Sequence, residues 1–288
     1  MTERLPAATA VGPVELTVRD LERSLAYYTR RIGLERLDKD DAGPVVLGAG
    51  GFPLLSLVES ASARTVRGST GLFHFAILVP SRPDLASVLA RLAATGTRLS
   101  GSADHGVSEA LYLSDPEGNG IEIYRDRPAE VWPRENGRLQ MVTEPLDLEA
   151  LLAEGNEAPT AASLPAGTVM GHVHLHVRNL AEAERFYAGV LGFEVMQRYG
   201  PSALFVATGG YHHRIGLNTW QGEGAPAPPP DATGLRHFVI RLPDRQAVER
   251  VRERLRDVGH PSEPRGEGLF TRDPSGNGIQ FEFSDANL

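Results

Sequence analysis

"VGPVELTVRDLERSLAYYTRRIGLE", residues 11–35, returns as "MGHVHLHVRNLAEAERFYAGVLGFE" at residues 170–194. Two further stretches repeat in the same order. "GLFHFAILVPSRPDLASVLARL" (71–92) matches "GLRHFVIRLPDRQAVERVRERL" (234–255), and "LYLSDPEGNGIEIY" (111–124) matches "LFTRDPSGNGIQFEF" (269–283). The chain therefore consists of two homologous halves, and self-similarity on this scale sets the architecture before any single residue is read.

Each half divides again into two units of strand, helix and further strands. Apolar and polar residues alternate through Val14, Leu16 and Val18, and again through Val173, Leu175 and Val177, the period of a half-buried strand. Asp20 and Asn179 stand where helix N-caps belong, and Leu21, Leu25, Tyr28 and Ile32 follow at helical spacing. Gly33, Gly96, Gly192 and Gly259 stand at the helix ends. Between the halves, 127–167 is rich in Pro, Glu, Ala and Gly; it reads as a linker with one short helix, "DLEALLAEG".

Bulk properties narrow the function. The 288 residues suit about two domains. A net charge of −8 disfavours nucleic acid and anionic membrane as partners. The absence of cysteine removes disulfides, thiolate metal sites and a cysteine nucleophile. No apolar run approaches the ~18 residues of a membrane span, and "MTERLPAATAVG" has no signal core, so a cytoplasmic protein is expected.

Parity along the strands then picks out chemistry. With Phe73, Phe75 and Ile77 toward the helix, His74 points to the opposite, concave face. His172, His174 and His176 likewise point away from Val173, Leu175 and Val177. Ile121 and Ile123 place Glu122 on the concave side. The two "DPxGNG" hexapeptides read as tight turns that need Gly and Asn at positive φ.

Four such modules, a candidate ligand at the head of the first strand, and D-P-x-G-N-G before an acidic last strand resemble the vicinal oxygen chelate superfamily. That superfamily includes glyoxalase I, bleomycin-binding proteins and extradiol dioxygenases. The resemblance implies an α+β fold of four βαβββ modules in two glyoxalase-like domains, with mixed curved sheets forming open barrels. The domains are expected at 8–126 (modules 11–58 and 71–125) and 168–285 (modules 169–219 and 234–284).

The family takes metal ligands from the first and last strands of its modules. Carried over, the first-strand positions are Pro13, His74, His172 and His237, and the last-strand positions are Ser56, Glu122, Gly216 and Gln280. If neighbouring modules pair, two broken sites result. If the middle modules pair, His74, Glu122 and His172 form a complete 2-His-1-carboxylate triad. We choose the middle pairing for that reason. His237 then reads as a relic, although Glu282 could join it and His172 in a second site.

"HGVSEALYLSDPEGNGIE" (105–122) closely resembles the extradiol dioxygenase segment in which a His and a Tyr accompany the iron-binding Glu, which implies roles for His105, Tyr112 and Glu122. "YHHRIGL" (211–217) resembles the strand bearing the acid–base His, and His213 matches it best. The nearest type is the two-domain bacterial catechol 2,3-dioxygenase. It implies Fe(II), with Mn(II) also compatible, and an aromatic diol and O2 as substrates. The oligomeric state is open, a homo-oligomer included. The alternatives are a glyoxalase-type isomerase with Zn or Ni, and a non-catalytic small-molecule binder or resistance protein. The isomerase is disfavoured because Gly216 stands where a second acid is needed.

Overall fold

Asp20 accepts a hydrogen bond from the Arg23 N–H at 2.9 Å and so opens the helix Leu21–Tyr27; Asn179 does the same for Glu182 N–H and Leu180–Glu184. The structure, a computed structural model, describes residues 3–38, 43–155 and 163–283. Both helices widen into a π-helical segment, at Tyr28–Ile32 and Arg185–Leu191, and stop at Gly33 and Gly192 with φ of +92° and +95°. The regular helical spacing in the sequence does not announce this widening, which shifts which residues face inward. Tyr28 and Tyr187 are wholly buried. The second and fourth modules carry longer helices, Arg82–Ala94 capped by Ser81 and Arg245–Asp257 capped by Asp244. Their buried stripes are Leu85, Val88, Leu89 and Leu92, and Val248, Val251 and Leu255.

The strands form two eight-stranded mixed sheets. One runs Ser262–Arg265, Gly268–Arg272, Gly278–Phe283, Gly234–Leu242, Ala10–Val18, Phe52–Glu59, Val45–Ala49, Glu35–Arg36. It joins fourth-module strands to first-module strands. The other runs Glu194–Tyr199, Ala203–Ala207, Ile215–Asn218, Val169–His176, Gly71–Leu78, Gly120–Asp126, Ser108–Ser114, Gly101–Asp104. It joins third-module strands to second-module strands. In the second, third and fourth modules the first strand pairs in parallel with the last, and the remaining pairs are antiparallel. The fold is thus α+β, with curled mixed sheets built from βαβββ modules.

The described residues gather into two compact units. One takes its chain from before Leu16, from Thr65–Phe73 and from His172 onward; the other takes Leu16–Arg64 and His74–Gly171.

Each unit holds one of the DPxGNG turns. Asp115 accepts from the N–H groups of Glu117 and Asn119 and from the Asn119 side chain, and Asp273 repeats the pattern with Ser275 and Asn277. Only the glycines, Gly118 and Gly276, have positive φ, at +93° and +89°. The sequence pattern predicts positive φ at the asparagines as well. Instead each Asn uses its side chain to satisfy a buried carboxylate, which needs no unusual backbone. The Tyr28 hydroxyl donates to Asp115 at 2.7 Å, and that of Tyr187 to Asp273 at 3.1 Å. Burial first, and then the neighbouring aspartate, push both phenols well above the usual range.

Candidate metal centre

In the unit that contains His74–Gly171, parallel pairing sets Glu122 beside Ala76, and antiparallel pairing sets it beside Tyr112. His74 is two residues from Ala76 and therefore shares its face. The alanine fills little of the space between them, and His74 Nε2 meets Glu122 Oε2 at 3.0 Å. Both side chains are buried, at 6% and 3% exposure. A buried carboxylate needs hydrogen bonds, a counter-charge or a metal. Tyr112 adds a hydroxyl: burial, then the charge of Glu122 and a hydrogen bond to it, raise this phenol well above its ordinary value. The Tyr112 hydroxyl also lies 2.7 Å from His105 Nε2, and His105 Nδ1 lies 2.7 Å from the carbonyl oxygen of Val142. Gly171 has its own steric reason in this unit. A Cβ there would come within 1.9 Å of the Tyr124 hydroxyl.

In the other unit His172 is buried, and its ring centroid is 4.1 Å from that of His213. His213 Nδ1 meets His212 Nδ1 at 2.8 Å, and the ring stands 4.9 Å from Phe205. His212 and His213 precede the strand Ile215–Asn218 rather than lying on it, and both are buried. Tyr211 stacks on His212, and the Arg214 guanidinium sits 3.8 Å over Tyr211. His174 pairs in register with Gly216, and a Cβ at Gly216 would lie 2.8–3.0 Å from the His174 ring atoms. The glycine at this last-strand position therefore makes room for an imidazole from the neighbouring strand. His176 bonds Asn218 Oδ1 at 2.7 Å.

Parity misplaced Phe73. Phe75 and Ile77 are wholly buried and Phe75 meets Tyr28, but the Phe73 ring packs 5.1 Å from His174, His176 and Trp220. Phe73 lies near the start of Gly71–Leu78, where the neighbouring strand Val169–His176 brings the His174 and His176 rings against it. Trp220 and Phe205 lie in stretches with no motif, and nothing in the sequence singled them out.

His74, Glu122 and His172 each offer a ligand atom, and these atoms all lie within 4.8 Å of one another. Among the described residues this is the one such group of three. The donor set fits a divalent transition metal: two imidazoles and a carboxylate, all buried. His237 has a different acid beside it, Glu15 with Oε1 3.5 Å from Nδ1. Gln280 donates to Glu282 at 2.6 Å. Neither His237 nor Glu282 belongs to a group of three among the described residues.

The sequence matches the Glyoxalase/Bleomycin resistance protein/Dioxygenase superfamily over residues 10–123 and 169–281. The chain belongs to that superfamily. It is 47% identical over 279 residues to the catechol-2,3-dioxygenase of Bacillus subtilis strain 168, a match covering 95% of this chain and 97% of the relative. Among solved structures it is similar to a provisionally assigned dioxygenase of Bacillus subtilis, with a TM-score of 0.67 at 14% identity over 98% of this chain and 86% of that one. It is also similar to glyoxalase I of Zea mays, with a TM-score of 0.59 at 17% identity over 95% and 92% of the two chains. These structural likenesses concern the fold. No helix among the described residues is long and apolar enough to cross a membrane.

Proposed function

We propose that this superfamily member is an Fe(II)-dependent extradiol dioxygenase that opens a catechol-type ring with both atoms of O2. The observation that carries the reading is the buried cluster of His74, Glu122 and His172, with Tyr112 and His213 beside its members. The name of the Bacillus relative supports it. His74, Glu122 and His172 would hold the ion, and manganese accepts the same set. When bound, the ion supplies a template and an electron conduit for a chelated diol and O2.

The remaining work falls to the chain. A diol must lose protons to chelate, and His213 is the base we assign. Its Nδ1 already meets His212, so the substrate proton goes to Nε2 and is returned from there once the ring opens. The Tyr112 hydroxyl hydrogen-bonds a substrate oxygen, and His105 orients Tyr112. Burial of all three ligands excludes water. An isomerase of the glyoxalase type would need a second acid, and at Gly216 the space is taken by His174.

The test is anaerobic loading with Fe(II), then catechol and air, following metal content, oxygen uptake and the yellow ring-opened product. The same is done with Glu122→Ala and His237→Ala. We expect Glu122→Ala to lose bound iron and at least about 100-fold in turnover, as removal of a ligand should. His237→Ala should keep both. An iron-loaded protein that consumes no oxygen with any catechol would overturn the proposal.

A further inference from the structure

The repeat reaches further back than the first strands. "LPAAT" (5–9) precedes the first strand of one half, and "LPAGT" (164–168) precedes that of the other at the same spacing. Both lie outside the family match, whose two stretches begin at residues 10 and 169. The two pentapeptides fold alike. The Thr9 N–H donates to the Pro6 carbonyl at 3.0 Å, and the Thr168 N–H to that of Pro165 at 3.2 Å. Leu5, Thr9, Leu164 and Thr168 are all buried.

Each pentapeptide seats on a module of the other half. The Leu5 N–H donates to the Gly192 carbonyl at 2.9 Å, where the third-module helix ends. The Leu164 N–H donates to the Gly33 carbonyl at 2.7 Å, where the first-module helix ends. A Cβ at Gly209 would lie 2.9 Å from the Ala7 carbonyl oxygen, and one at Gly50 would lie 2.9 Å from the Ala166 Cα. Gly209 and Gly50 have φ of +62° and +55°, so the same kind of turn receives the pentapeptide each time.

Beyond these turns the two halves differ. In the first module the strands themselves close the turn, with Ala49 opposite Phe52 and Gly48 opposite Pro53. In the third module the ladder ends at Val206 opposite Ile215. The loop between them, 207–214, is one residue longer than its counterpart, 48–54, and carries His212 and His213. The pentapeptide fastens this loop. Thr208 Oγ1 donates to the Thr9 carbonyl at 3.3 Å and reaches that of Ala7 at 3.5 Å. Ala49, at the matching place, has no such donor. Backbone outside a ladder opens as readily as its remaining contacts allow.

We infer that Leu5–Thr9 is a clasp that sets the 207–214 loop and so holds His213 in place beside His172. Leu5, Ala7, Thr9 and Thr208 are positioning residues, acting through His213. The clasp stands on contacts within the chain; its meaning for turnover rests on the dioxygenase reading above.

The test uses the full chain loaded with Fe(II), as wild type, Leu5→Ala, Leu5→Met and the matched Leu164→Ala. Backbone hydrogen exchange is read first. Leu5→Ala should speed exchange in 207–214 at least about fivefold, whereas Leu5→Met and Leu164→Ala should leave that loop close to wild type. No change in Leu5→Ala, or an equal change in Leu164→Ala, would overturn the clasp whatever the activity. Turnover is the second arm. Leu5→Ala should lose at least about tenfold in kcat with KM and bound iron little changed, and Leu5→Met should recover it. A loosened loop with undiminished kcat, or a loss that Leu5→Met does not recover, would overturn the positioning role. If Leu5→Ala does not fold, Thr208→Val, which removes only the hydroxyl, is read by the same two criteria. Inactivity of the wild-type protein would count against the dioxygenase reading and leave the exchange result standing.

Discussion

His237 stands in the strand Gly234–Leu242 with Glu15 3.5 Å away, and burial, only partly opposed by that carboxylate, pushes its pKa from 6.5 down to about 4. The folded protein therefore keeps this imidazole neutral over a range in which the unfolded chain would protonate it. Between pH 6.5 and about 4 the unfolded state binds more protons, so stability rises with pH across that window. The contribution is fully present above 6.5 and is lost as pH falls through the window. Urea unfolding midpoints measured from pH 7.5 to pH 4 should show it, on the order of 1–3 kcal/mol lost on acidification. His237→Asn should flatten that limb while leaving the free energy of unfolding at pH 7.5 within about 1 kcal/mol of wild type. An unchanged acid limb would show that His237 titrates alike in both states. The residue also marks what a sequence can show at this scale. Its position in the repeat drew attention to it, but its acid neighbour did not: the family pattern points to Pro13, and the carboxylate comes from Glu15, whose spacing carries no signal. His74, Glu122 and His172 were legible because each falls at a repeat position and on one face of its strand. Trp220 and Val142 were not, because one acts by ring packing and the other by a backbone atom that every residue possesses.

The element that positions Glu122 is the turn before its strand. Asp115 accepts three hydrogen bonds from within the turn and one from Tyr28 on the first-module helix. The matching turn uses Asp273 and Tyr187. Tyr28→Phe removes the donor and leaves a buried carboxylate oxygen short of one partner, which costs about 1–3 kcal/mol; Tyr187→Phe should cost a similar amount. Their consequences for the metal should differ. The Tyr28 turn leads within three residues of Asn119 to Glu122, whereas the Tyr187 turn leads to Gln280. Thermal unfolding should therefore place both variants below wild type, with weakened metal retention in Tyr28→Phe alone. Equal metal retention in the two would mean that the strand pairing of Gly120–Asp126 holds Glu122 without help from the turn. The hexapeptides were recognisable as turns because Gly after a Pro-containing run has few other uses. The π-helical widening around Tyr28 and Tyr187 was not, because residues three and four apart share a face in the ordinary helix as well.

At the scale of the whole molecule the open question was which modules share a sheet. The four modules look alike, so no local pattern distinguishes neighbour pairing from middle pairing. Only the distribution of ligands argued for the middle modules, and the strand order joins second-module strands to third-module strands and first to fourth. Each half of the chain thus supplies four strands to each sheet. A separated N-terminal half, residues 1–126, would leave Ala10–Val18 and Gly71–Leu78 each with one unpaired edge, where Gly234–Leu242 and Val169–His176 pair in the intact chain. Such edges template aggregation. It would also lack His172, one of the three clustered donors. We therefore expect residues 1–126 expressed alone to be poorly soluble, without a cooperative thermal transition and without tight metal binding. Co-expression with residues 168–288 should restore all three properties, because the missing strands and the third donor return together. A soluble, monomeric half with a sharp transition would instead require Ala10–Val18 to pair with Gly71–Leu78. The repeat would then be able to close on its nearest neighbour, and metal content would tell which closure has formed, since His74 and Glu122 without His172 make only two-thirds of the donor set.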